Sequence, residues 1–121
     1  MKMLPLLAAA FALAPAAALA HHSYSMFDMN KTVALEATVV QFKWQNPHAF
    51  IIADAAVGGA SERWSIEMTS PNNLVQEGWK RTSLKPGDKV TLWVHPLRSG
   101  ATGGSYAGVR LADGSTLGDA G

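Results

Sequence analysis

Between residues 33 and 53 the apolar side chains fall first on one side of the chain and then on the other. Val33, Leu35, Ala37 and Val39 alternate with Ala34, Glu36 and Thr38, the period of two that marks a strand with one buried face. From Val40 the apolar set becomes Val40, Phe42 and Trp44, one residue out of step. A slip of one residue sends every later side chain to the opposite face, so a bulge or sharp coil is predicted near Val39-Val40. Long first strands that bend in this way serve two sheets in small closed barrels. Lys43-Trp44-Gln45-Asn46-Pro47-His48 then forms a corner, because proline fixes its own φ and drives Asn46 out of the helical region. A second strand follows at 49–53, with Phe50 and Ile52 on one side and Ile51 and Ala53 on the other, so both faces are expected to be buried.

The stretch from Asp54 to Ser61 is rich in Gly and Ala and reads as a loose hairpin loop. Trp64, Ile66 and Met68 alternate with Arg63, Ser65 and Glu67, which predicts a third strand with one wet face. Ser70-Pro71 is a helix start, with serine as N-cap and proline at the first helical position. Leu74, Val75 and Trp79 mark its inward face, and Gly78 ends it. After a tight turn at Lys85-Pro86-Gly87-Asp88, Val90, Leu92 and Val94 alternate with Thr91, Trp93 and His95 in a fourth strand that stops at Pro96. Ser99 to Ser105 reads as a glycine-rich loop, Tyr106 to Leu111 as a fifth strand, Asp113-Gly114 as a turn and the remainder as a frayed end. A mainly β chain of five short strands, with a coiled first strand and one helix between the third and fourth, has the element order of an oligonucleotide/oligosaccharide-binding (OB) barrel. The alternative is an antiparallel β-sandwich.

The first twenty residues stand outside this pattern. Lys2 supplies a positive start, Leu4 to Leu19 is apolar apart from Pro5 and Pro15, and Ala18-Leu19-Ala20 has the small-x-small form that signal peptidase reads. Residues 1–20 are therefore expected to be a cleaved signal peptide, with export to a bacterial periplasm and no stable membrane insertion after cleavage. The 121-residue chain less these twenty leaves 101, enough for a single OB-like domain at 21–121. Without Lys2 the ten Lys and Arg become nine, matching nine Asp and Glu. Formal neutrality argues against nucleic acid and anionic membrane as partners, which favour a clustered basic surface. The chain has no cysteine, so an exported fold of this kind is held by its core and not by disulfides. Tyr24, Met26 and Phe27 are too apolar for a free tail, so the segment at 21–28 is expected to pack across the domain.

Four places in the chain resemble a family of small exported bacterial proteins of unknown function. They are His21-His22-Ser23 followed by Phe27-Asp28; Trp44 with Asn46-Pro47-His48; Ser70-Pro71-Asn72 leading to Gly78-Trp79; and Leu84-Lys85-Pro86-Gly87-Asp88. The resemblance implies export and a small β-rich fold, and assigns no catalytic or binding residue.

The residues with distinctive chemistry are the histidines at 21, 22, 48 and 95, none expected inside a strand. In an OB barrel the loops after the first and fourth strands lie on the binding side, which would bring His48 and His95 together. Cleavage after Ala20 would give His21 a free amine beside its imidazole. Such a nitrogen-rich set suits Cu(II), with Ni(II) or Zn(II) possible. The bland reading of each histidine is a polar junction or a turn hydrogen bond. Trp64 and Trp79 sit at core-like positions, whereas Trp93 is out of phase with Leu92 and Val94, and Trp44 flanks the corner. Trp44 and Trp93 are candidate stacking residues for a small-molecule or protein ligand, which gives a second reading as a metal-free adaptor. Asp28, Glu36, Glu67 and Glu77 form no paired pattern and fit a solvated surface. Gly103-Gly104 lacks the helix and lysine of a phosphate loop, and no nucleophile–base set is apparent, so no enzymatic activity is expected.

Overall fold

A computed structural model describes residues 25–118. The elements are β1 (Val33–Lys43), β2 (Phe50–Val57), β3 (Ala60–Glu67), α1 (Pro71–Gln76), β4 (Lys89–Pro96), β5 (Gly103–Arg110) and β6 (Thr116–Gly118). The strand order is β3-β2-β1-β4-β5-β6, and a parallel pairing of β3 with β5 closes the first five into a barrel. All the other pairings are antiparallel. This is the OB-like arrangement with its helix between β3 and β4, not a two-sheet sandwich.

The bend in β1 makes closure possible. Its first half pairs with β4, from Val33 opposite Val94 to Thr38 opposite Lys89, and its second half pairs with β2, from Ala37 opposite Ala55 to Lys43 opposite Phe50. The register slips between Val39 and Gln41, so Val40 is the extra residue of a bulge where the hydrophobic phase changes. Before the bulge Leu35, Ala37 and Val39 are buried; beyond it Phe42 and Trp44 pack against the same core. The Lys85–Asp88 turn extends this ladder, with Val39 N–H donating to Asp88 O and Gly87 N–H to Val39 O, each at 2.8 Å.

Helix α1 covers the core from one side. Ser70 Oγ caps it by accepting from Asn73 N, with Pro71 at its first turn. Its end is a Schellman motif: Trp79 N–H donates to Leu74 O at 2.9 Å and Gly78 N–H to Val75 O at 3.1 Å, with Gly78 at φ +94°. The motif places Leu74 and Trp79 side by side in the core, and Trp79 meets Phe42 and Tyr106 at ring-centroid distances of 5.6 and 5.5 Å. Val75 is not on the inward face as predicted. It is 58 % exposed, because a six-residue helix turns only a narrow stripe inward.

Four other expectations are corrected. The stretch at 54–61 is not a loop: β2 runs to Val57, β3 starts at Ala60, and only Gly58-Gly59 turn, at φ +57° and +81°. The alanines there carry little hydrophobic signal, yet Ala55 is buried. Gly103-Gly104 is not a flexible loop but the start of β5, and both residues are buried. The chain after Asp113 is not frayed as far as Gly118, since Thr116–Gly118 pairs with β5 and Tyr106 Oη donates to Leu117 O at 2.6 Å. His95 lies within β4 as its penultimate residue.

The segment before β1 does pack across the barrel, through fewer side chains than predicted. Phe27 is buried and bridges Leu97, Asp28 N–H donates to Pro96 O, and Arg98 N–H donates to Met26 O. Met26 is exposed, and Tyr24 lies outside the described residues, as do His21, His22 and the stretch read as a signal peptide. Among the described residues no helix is long and apolar enough to cross a membrane.

Candidate functional site

Measured along β1, His48 and His95 are far apart: His48 lies in the corner beyond its last residue, Lys43, and His95 follows Val94, the partner of Val33. Around the barrel they are linked more directly, because β3 closes on β5. His95 is the register partner of Ser105, Ser105 is that of Glu67, and Glu67 is that of Phe50 at the start of β2. Val94 and Ile66 are fully buried, so His95 and Glu67, one step along, belong to the outer face. Two strand spacings, about 10 Å, separate the backbones of His95 and Glu67.

His48 reaches this row through Glu67. The corner that carries it is tied to the end of β3 by Ala49 N–H donating to Thr69 O at 3.1 Å and Met68 N–H donating to Ala49 O at 2.9 Å; the Asn46-Pro47 peptide within it is cis. The Nδ1 atom of His48 is shut off from solvent and lies 3.1 Å from Glu67 Oε1, a charge-pair distance whose angles fall short of a hydrogen bond. Glu67 therefore does more than solvate its strand. Reasoning from sequence missed it because nothing in the local pattern links positions 48 and 67.

His95 is held in a similar way. Its Nδ1 is 2.8 Å from Lys31 O and 3.4 Å from Thr32 Oγ1. A carbonyl oxygen only accepts, so the hydrogen bond to Lys31 puts a proton on Nδ1 and leaves Nε2 as the remaining nitrogen. An acceptor on the far nitrogen is the usual support of a histidine ligand, since it fixes both the ring's orientation and its tautomer. Of the two described histidines His95 has this support, from a carbonyl, whereas His48 has a carboxylate at charge-pair distance and no hydrogen bond on Nδ1. Among the described residues no three His, Asp or Glu side chains converge on one point.

The candidate stacking residues are not gathered together. Trp44 follows β1 and packs edge-on against Phe42, with centroids 5.6 Å apart, as part of the core's margin. Trp93 sits on the outer face opposite Ala34, near the other end of β1, and the Arg110 guanidinium lies 5.1 Å from its ring centroid. Beside it an open groove of about 860 Å³ is lined by Glu36, Asp54, Lys89, Thr91 and Arg110, among others. Its charged side chains are engaged by neighbours, Lys89 by Thr38 and Arg110 by Trp93. Thr91 Oγ1 donates to Glu36 at 2.9 Å, and Arg63 makes a two-pronged contact with Asp54 at 2.9 and 3.2 Å. The Arg63 hydrogen bond holds the Asp54 carboxyl below the usual carboxylate range, and Asp54 in turn raises the Arg63 guanidinium.

Fold and site together define a small OB-like barrel with a histidine-bearing outer rim and a separate polar groove. Residues 9–106 match a family of unknown function, DUF6152, and the chain belongs to that family. No curated protein and no solved structure matches it.

Proposed function

We propose that this chain is an exported, periplasmic binding protein that holds a transition metal, copper first, through His21, His22, His48 and His95. The observation that carries the reading is His95, whose Nδ1 is held by the Lys31 carbonyl so that Nε2 is left for a ligand, with His48 beside Glu67 two strands away. A second observation supports including the N-terminal histidines. Arg98 Nε donates to Ser25 O at 3.0 Å, which ties the chain three residues after His22 to the loop that follows β4. His21 is four residues before Ser25, so the amine of a mature N-terminus starting there lies within about 14 Å of chain from that loop. Amine and imidazole nitrogens suit Cu(II) ahead of Ni(II) and Zn(II).

The test is a Cu(II) titration of protein beginning at His21 and of protein carrying one extra residue before it. Tight binding by the first and weaker binding by the second is the expected result. Equal, weak binding by both would overturn the proposal. It would leave the metal-free adaptor, for which Trp93 under Arg110 beside the polar groove offers a platform for a planar or anionic small molecule or a protein segment.

A further inference from the structure

We infer that the polar groove beside Trp93 is a binding site for a small dicarboxylate, with Arg110 and Lys89 each taking one carboxylate of the ligand. The inference narrows that platform to one class of ligand, and it does not depend on the metal reading, since no histidine lines the groove. At about 860 Å³ the groove is in the size range of small-molecule sites. Its floor is a patch on three paired strands. Thr91 is the register partner of Glu36 in β1 and of Arg110 in β5, and Lys89 is the partner of Thr38. Val90, Leu92 and Val109 are buried, so Lys89, Thr91 and Arg110 share the outer face. Lys89 and Arg110 are thus diagonal neighbours across β4 and β5, their backbones about 7–8 Å apart and their side chains long enough to meet one ligand.

The charges of the groove are not balanced within it. Of its two carboxylates, Asp54 is held by both prongs of Arg63, which leaves Glu36. Thr91 donates to Glu36 without cancelling its charge. Of its two cations, neither Lys89 nor Arg110 forms an ion pair with a carboxylate among the described residues. Lys89 Nζ makes a long contact of 3.4 Å to Thr38 Oγ1, and Arg110 lies over the Trp93 ring. A guanidinium over a ring face keeps its N–H groups at its edge, where a carboxylate can take two of them. Two separated single charges answer this arrangement better than one dense dianion. A phosphate would put both its charges at one point, near Glu36, whereas two carboxylates can be spread to the two cations.

The experiment measures binding of succinate, acetate and inorganic phosphate to protein beginning at His21, by calorimetry at low ionic strength, with a thermal melt of every variant. Succinate is expected to bind about tenfold or more tightly than either acetate or phosphate. Arg110→Gln and Lys89→Gln should each weaken succinate binding about tenfold. Glu36→Gln, which removes the carboxylate left without a cation, should tighten it about threefold. That gain separates a ligand site from a structural role, since damage to the fold would only weaken binding. No succinate binding by the parent, phosphate bound as tightly as succinate, an affinity unchanged in either cation variant, or weaker binding by Glu36→Gln would overturn the inference. The metal reading fails on a different measurement, the Cu(II) titrations of the two N-termini, which leave the succinate comparison readable.

Discussion

At Gly58-Gly59 the chain needs a backbone conformation that other residues resist; at Gly103-Gly104 it needs the absence of a side chain. The first pair turns β2 into β3 with both φ values positive, and a Cβ added at either residue would meet nothing within 4 Å. The second pair has neither positive φ nor space. A Cβ on Gly104 would lie 2.5 Å from the carbonyl oxygen of His95, and one on Gly103 would lie 2.9 Å from Leu97 Cδ1 and 3.1 Å from Ser65 O. The difference follows from position. Gly103–Ser105 is the stretch of β5 that pairs on one side with β4 and on the other with β3, where the barrel closes. Glycine there lets three strands approach at the seam, and the seam is what brings His95 within two strands of Glu67.

The largest effect is therefore expected from Gly104→Ala. Its new methyl group would collide with the His95 backbone rather than with the tip of a flexible side chain, so a strand must move. We expect a loss of about 3 kcal/mol or more, a large share of the stability of a domain this size. Urea unfolding measures it. The same variant is expected to weaken Cu(II) binding, because the displaced carbonyl belongs to a residue of the rim. A midpoint within error of the parent would mean that β5 does not close the barrel at this point.

Both Gly-Gly pairs look alike in sequence, and both were expected to lie in loops. What could be read was carried by bulky side chains with a clear period: the slip at Val39-Val40, the outward phase of Trp93, and the serine cap and proline that open α1. What could not be read was carried by residues with little or no side chain. Ala55 is buried almost as fully as Ile51, yet alanine contributes almost nothing to an alternation of hydrophobicity. The rim was half legible. Placing His48 and His95 on one side followed from the element order, whereas Glu67 and Ser105 enter through a parallel pairing of distant strands that leaves no local trace. Met26 was read as an anchor because apolar residues near a chain end usually pack, and it is exposed where its neighbour Phe27 is buried.

Gly58→Ala probes the other half of the contrast. With open space around it, the substitution costs only what an L-residue pays for a left-handed backbone, about 1–2 kcal/mol, and should not alter metal binding. A D-alanine at the same position, introduced by chemical ligation, should recover the parent's stability, because its favoured φ is positive. At Gly104 a D-alanine has no such advantage, since φ there is not in the positive range. Equal damage from the L and D residues at position 58 would show that space, not conformation, selects glycine at the turn.

The smallest effect concerns the ion pair that staples the same hairpin, where Asp54 and Arg63 face each other across β2 and β3. The hydrogen bond from Arg63 is the main cause of the lowered Asp54 pKa, opposed by a smaller desolvation effect and reinforced, least of the three, by the Arg63 charge. A carboxyl whose folded pKa is depressed binds its proton more readily when unfolded. Its contribution to stability is therefore fully present above the unfolded value, about 3.9, and is lost as the pH falls through the lower folded value. Asp54→Asn should thus be slightly less stable than the parent at pH 7, with the two curves converging at the acid end. The pair is solvent-exposed, so the separation at pH 7 should be well below that of Gly58→Ala and should shrink in high salt. Urea midpoints of both proteins from pH 7 to the acid limit of folding measure it, and a constant separation across that range would show that the staple adds nothing to the hairpin.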